Sequence, residues 1–192
     1  MKHNKLVMGL GLLLLAAALF MALGNLRDEY RAGRDAQEIT RELESAQSAA
    51  EQQPAELEQE DDMTVIRLDS ETYIGMIRIP DADLHLPVYS EWNYDRLRKA
   101  PCRYSGSLEG RDLILMGHDY QQHFGPIKEL SAGAEVILET VDGAAHTYRV
   151  EQVETLEAGD LAAMESGDWD LTLFTCTRDG QARQTLRCRM TE

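Results

Sequence analysis

Polar and apolar positions change rhythm three times along this chain. From Leu6 to Gly24, nineteen residues pass without a charge; at about 1.5 Å per residue, a helix of that length comes close to the ~30 Å of a bilayer's hydrocarbon core. The run predicts a membrane-crossing helix. A cleaved signal peptide is the other reading, since Ala22 and Gly24 are small enough for a cleavage site, although the apolar stretch of such peptides is usually only about 7 to 15 residues. Lys2 and Lys5 precede the run, but Arg27, Arg31 and Arg34 follow it closely, so the basic residues leave its orientation open.

Over the next stretch, apolar residues thin out to Leu26, Tyr30, Ile39, Leu43, Ala46 and Ala50, a loose spacing of three to four. This predicts a solvated helical stalk. Glu51 to Asp62, with Pro54 and six acids, reads as a flexible linker. No chemistry is expected of this region.

From Met63 the texture becomes short β-type runs broken by turn residues. Strands are predicted at Tyr73–Ile79, Leu84–Tyr89, Asp112–Met116, Ala134–Thr140, His146–Val153, Leu171–Cys176 and Arg183–Met190, with Asp142-Gly143 as a hairpin turn. Short helices are expected at Tyr94–Ala100 and Asp160–Glu165. Seven or eight short strands in about 130 residues predict an all-β domain, a barrel or a sandwich, and closure into a barrel would remove exposed edges. The organisation expected is a tail at 1–5, an anchor at 6–24, a helical or flexible stalk at 25–62 and a β-domain at 63–192.

Composition sharpens this division. The 192 residues carry 34 acidic and 19 basic side chains, a formal charge of −15. Segment by segment the charge is +2 before the anchor, −8 from Asn25 to Asp62 and −9 from Met63 onward. Such a balance excludes a nucleic-acid surface, which needs clustered Lys and Arg. Three cysteines are too few for a disulfide scaffold and leave one thiol over.

Strand alternation places Leu171, Leu173 and Thr175 on one face and Thr172, Phe174 and Cys176 on the other. With the leucines in the core, Cys176 faces outward at a strand end. On the following strand Leu186, Cys188 and Met190 form the apolar face, so Cys188 is a core residue, while Arg183 and Arg187 share the opposite face. Either arginine could stand near Cys176. His118 follows the apolar strand and Gly117, at a strand exit where loops present functional groups. A metal site is not indicated: His118 and His123 are five apart, and neither CxxC nor HExxH occurs.

Thr172-Leu173-Phe174-Thr175-Cys176 resembles the T-L-x-T-C signature of sortases, and Arg183 opens its strand as the sortase arginine does. Gly117-His118 after an apolar strand is similar to the family's histidine region, and Tyr73 to Pro80 with Leu86-Pro87-Val88 to its opening strands. The resemblance spans about Tyr73 to Met190 and implies an eight-stranded β-barrel. It further implies a cysteine transpeptidase cleaving an LPxTG-like sorting signal, with Cys176 as nucleophile, His118 as acid and base, and Arg183 as oxyanion or peptide stabiliser. Implied partners are secreted proteins with carboxy-terminal sorting signals, and a peptidoglycan precursor or protein amine as acceptor. The implied placement is a single-pass membrane protein with its amino terminus inside and the enzyme outside.

No second apolar span follows Met190, which favours wall anchoring over pilus polymerisation. A hydrolytic cysteine peptidase, a pilus-polymerising sortase and an inactive binding module of the same fold are the alternatives. No cofactor is implied. Glu139, Asp142 and Glu157 could offer oxygens to calcium, but no loop of calcium-binding pattern is present. A Cys102–Cys188 disulfide would leave Cys176 as the free thiol.

Overall fold

The computed structural model describes residues 2–50 and 57–191, with side chains from 7 to 48 and from 57 to 191. Helix α1 runs unbroken over Lys2–Ala50. Its first half exposes Leu12, Leu15, Phe20 and Leu23, and it is long and apolar enough to cross a membrane.

Strands β1 (Leu57–Glu60), β2 (Met63–Leu68), β3 (Glu71–Ile79), β4 (Leu84–Tyr89), β5 (Cys102–Ser105) and β6 (Leu113–Met116) follow. They are succeeded by β7 (Glu135–Thr140), β8 (Ala145–Glu157), β9 (Leu171–Cys176) and β10 (Ala182–Met190). Short helices α2 (Tyr94–Leu97) and α3 (Leu161–Glu165) interrupt them. The sheet order is β1-β2-β3-β4-β5-β6-β9-β10-β8-β7, and β7 returns to pair with β3. The circuit from β3 round to β7 is thus a closed barrel of eight strands, with β1 and β2 as an added hairpin. Closure leaves none of those strands with a free edge along its whole length.

Closure turns on Gly75. One edge of β3 serves β2 at Tyr73 and then β7 from Gly75 to Arg78. Gly75 has φ +151, and a Cβ there would stand 2.1 Å from the Glu139 carbonyl oxygen. Only glycine lets β7 approach that closely.

Alternation sorts the strands into inner and outer faces. Ile77, Leu113, Leu115, Leu171, Leu173, Leu186 and Cys188 fill the barrel. Outside, Ile39 and Leu43 of α1 and Leu97 of α2 cover Tyr73, Met76, Tyr89 and Cys102. Met164 of α3 covers Ile114 and Phe174. The fully solvated stalk expected from sequence is therefore replaced by a helix whose second half docks on the barrel, with Ala32, Ala36, Ile39 and Leu43 buried while Leu26 and Tyr30 stay exposed.

The acidic stretch also departs from expectation. Residues 51–56 lie outside the described residues, but Leu57–Glu60 is a strand rather than a linker. Asp61 and Asp62 both take positive φ, 44° and 59°, in a two-residue hairpin turn, a conformation short polar side chains tolerate. Glu58 and Glu60 pair with Arg67 across the hairpin at 2.8 and 3.1 Å. Arg103 ties the turn to the barrel, donating to Ser90 O at 2.7 Å, Gly106 O at 2.9 Å and the Asp61 carboxylate at 3.3 Å.

Candidate active site

Three neighbouring strands bring the candidate residues to one rim of the barrel. β6 and β9 are parallel and in register from Leu113↔Leu171 to Met116↔Phe174. Gly117 N–H donates to Phe174 O at 3.1 Å, and the Thr175 hydroxyl donates to Gly117 O at 2.8 Å. Two residues beyond Met116 stands His118; two beyond Phe174 stands Cys176. β10 then returns antiparallel with Arg183 directly opposite Cys176, the side chains of such a pair lying on one face.

Local sequence fixes each end. A Cβ at Gly117 would meet the Phe124 ring at 2.6 Å, so glycine lets the loop fold back on itself. Phe124 N–H then donates to His118 O at 3.1 Å, and the N–H groups of His123 and Gly125 to Tyr120 O at 3.0 and 2.9 Å. The His118 ring stacks on Tyr120, centroids 4.8 Å apart. After Cys176, the Thr177 hydroxyl donates to Asp179 at 2.6 Å, and Gly180 takes φ 71° to turn the chain into β10.

His118, Cys176 and Arg183 line a cleft of about 370 Å³. Trp92, Tyr94, Tyr104 and Phe174 form its aromatic wall, with Leu161 and Met164 of α3 beside them. Tyr104 meets Phe174 edge-on at 5.5 Å and stacks on Trp92 at 6.3 Å. The cleft is thus walled by rings, with the polar and charged groups of His118, Arg183, Glu157 and Asp160 among its lining.

Burial lowers the basicity of His118, Arg98 lowers it further, and Asp119 works in the opposite sense. Asp119 itself forms an ion pair with Lys128. Cys176 is a half-buried free thiol. Cys102 and Cys188 are fully buried and pushed up to about 12 by burial, which makes them inert as nucleophiles. They belong to different apolar clusters and both are free, so the disulfide considered between them is not formed.

The two candidate arginines differ in their hydrogen bonding. Arg187 is 2% exposed, donating to Glu154 at 2.7 Å, to the carbonyls of Met164 and Ala163 at 2.6 Å each, and to the Thr172 hydroxyl at 3.1 Å. It is fully committed to holding α3 on the barrel. Among the described residues, Arg183 donates only to the neighbouring carbonyls of Ala182 and Gly180, at 3.1 and 3.4 Å, at the mouth of the cleft.

The aromatic wall was not singled out from sequence, because Trp92, Tyr94 and Tyr104 lie far from the motif strands and carry no periodic signal. Asp170 and Trp169, just before the cysteine strand, pack the barrel's end: Asp170 accepts from Arg111 and from Met190 N–H at 2.8 Å each, and Arg189 lies over the Trp169 ring. Among the weighed calcium ligands, Glu139 faces Arg78 at 3.6 Å, and Asp142 accepts from the Thr140 hydroxyl and Ala144 N–H within its hairpin. Glu157 borders the cleft instead.

Comparison with known proteins bears on the family and the fold. A family model described as Sortase domain matches residues 77–191. Among solved structures, sortase A of Listeria monocytogenes aligns with TM-score 0.55 and 20% identity over 62% of this chain and 88% of its own. Sortase C1 of Streptococcus agalactiae aligns with TM-score 0.53 and 24% identity, covering 62% of this chain and 67% of its own. Sortase C of Clostridium perfringens aligns with TM-score 0.54 and 19% identity over 83% of this chain and 90% of its own. No curated protein matches the sequence.

Proposed function

The chain belongs to the sortase family, and from that premise we propose that it is a membrane-anchored cysteine transpeptidase that cleaves an LPxTG-like sorting signal and joins the carboxyl product to an amine. What supports this most is the register: parallel pairing carries His118 level with Cys176, and antiparallel pairing sets Arg183 opposite it, all at one cleft. In the proposed reaction, His118 takes the thiol proton as Cys176 Sγ attacks the threonine carbonyl carbon. Arg183 donates to the oxyanion of the tetrahedral intermediate, where charge develops in a partly dry site. The C–N bond breaks, the proton passes from His118 to the leaving amine, and a thioester remains on Cys176. An incoming amine then gives its proton to His118 and expels the thiolate, which regains a proton from the imidazolium.

The low basicity of His118 suits this cycle, because a neutral ring can accept each proton it later returns. The aromatic wall would seat the apolar start of the signal. In this reading α1 crosses the membrane once, amino terminus inside, with the barrel outside; the amine belongs to a peptidoglycan precursor or a protein.

Incubation of the full chain with sorting-signal peptides, with and without amines, tests the reading by mass spectrometry. A thioester adduct on Cys176 and an amine-dependent ligated product are expected, both lost in Cys176→Ala. Hydrolysis alone with every amine would replace transpeptidase by peptidase, and turnover surviving Cys176→Ala would remove the nucleophile.

A further inference from the structure

The loop carrying His118 has a second support that the motif residues do not supply. Glu29 of α1 accepts the backbone N–H of Gln121 at 2.8 Å. One turn on, Gly33 lies against Gln122, whose side-chain oxygen would be 1.9 Å from a Cβ at that position. Ala32 is buried, and its carbonyl faces the ring of His123. Ala36 is buried with Phe124 and Ile127 in the barrel cluster. Residues 29, 32, 33 and 36 share one helical face, and that face meets the segment between His118 and Ile127.

We propose that this face of α1 is a positioning element of the active site, in which Glu29 holds the His118 loop through the Gln121 amide. The proposal rests on the reading of His118 as the acid–base group. Its physical content is restraint: the loop returns on itself through Tyr120 O and His118 O, but nothing in that turn fixes its outer side, where Gln121 and Gln122 are exposed. Small residues at 32, 33 and 36 let the helix backbone come close, and the Glu29 carboxylate supplies a charge-assisted acceptor. The groups around the His118 ring are Tyr120 and His123 of its own loop, Asp119 beside it, Arg98 at the end of α2, and Cys176 and Arg183 across the cleft. Asp28 and Glu29 of α1 act on Tyr120, the residue on which the imidazole stacks.

The test uses the full chain in detergent with ¹³C-labelled histidine rings, in wild type, Glu29→Ala, Glu29→Gln and Gly33→Leu. NMR titration reads the His118 pKa without turnover, and single-turnover acylation by a sorting-signal peptide reads the chemistry. Glu29→Ala and Gly33→Leu are expected to raise the His118 pKa toward its ordinary value, as the ring gains water, and to slow acylation about tenfold with KM unchanged, the signature of misplacement rather than lost binding. Glu29→Gln, which keeps an acceptor oxygen, should restore both. An unchanged titration and acylation rate in both disruptive variants, with only the melting temperature lowered, would overturn the proposal. A wild-type chain that acylates with no peptide would remove the catalytic reading instead, and the ring titration would still decide the positioning contact.

Discussion

His123 should make the folded protein acid-sensitive by an amount that one substitution removes. Its ring is 0% exposed, and among the described residues neither ring nitrogen has a partner in full hydrogen-bond geometry, although the carbonyls of Ala32 and Lys99 lie near it. The carbonyls of Ala32 and Lys99 favour the protonated form, but burial outweighs them, with His118 adding to it, and the pKa falls from 6.5 to about 4. The unfolded chain therefore holds more protons than the folded one between those values. Stability is fully present above pH 6.5 and falls as pH is lowered toward 4. A gap of about 2.5 units at ~1.36 kcal/mol each gives about 3 kcal/mol at the acid limit, of which some 2.5 kcal/mol is lost between about pH 7.5 and 4.5. Urea unfolding at those two pH values, followed by far-ultraviolet circular dichroism, measures this for wild type and His123→Phe. Carboxylates shift both proteins alike, so the difference between the two curves isolates the ring. His123→Phe should be flatter by about 2 to 3 kcal/mol over that range. Parallel curves would refute the reasoning and mean that the ring is solvated or paired.

Three further outcomes follow from the same structure. Arg187→Ala takes the guanidinium donor from the carbonyls of Met164 and Ala163 and from the Glu154 carboxylate, leaving Ala163 to Ser166 and Glu154 to Gln152; a loss of about 3 kcal/mol in denaturant unfolding is expected, with faster hydrogen exchange across α3. Gly75→Ala must push a methyl into the Glu139 carbonyl at a φ that side chains rarely adopt, so it should cost about 2 kcal/mol or more in the same assay and loosen β3 from β7. A thiol reagent should modify one cysteine, Cys176, in the native protein and all three in urea, since Cys102 and Cys188 are sealed in separate clusters; rapid native labelling of a second thiol would contradict the burial.

Long alternating runs were legible in the sequence for a plain reason. In Leu171–Cys176 and Arg183–Met190 one face fills the barrel with Leu171, Leu173, Leu186 and Cys188 while the other carries Thr172, Arg183 and Arg187, so a period of two survives in the residues even where α3 covers the outer face. The alternation even placed Cys176 and Cys188 on opposite sides of the wall. β5 escaped notice because Cys102–Ser105 is buried on both sides at its start and joins β4 through a single paired position. β1 was hidden by its charges, which read as solvation but are a hairpin face paired to Arg67. Docking of α1 was least legible: beside Ile39 and Leu43 its contact residues are alanines and a glycine, while Leu26 and Tyr30 point away. Small residues mark close approach only once a partner surface is known. The proposed site was reached through its motif resemblance, which already favoured Arg183 over Arg187 by its place at the strand start; the engagement of Arg187 by the carbonyls of α3, which sequence does not place beside β10, adds to that preference.

The parallel pairing of β6 with β9 also constrains how the site comes into being. His118 and Cys176 are 58 residues apart in the chain, separated by the β7–β8 hairpin, α3 and their loops. β9 fits between β6 and β10, and β10 is in turn the strand that joins β9 to β8. Contacts this distant in sequence bear the full loop-closure entropy and form late. A growing or partly folded chain thus carries a thiol with no aligned imidazole and no facing guanidinium, and the three groups become neighbours only when the last two strands close the barrel. Under the proposed function, competence for chemistry and completion of folding are, in this topology, the same event.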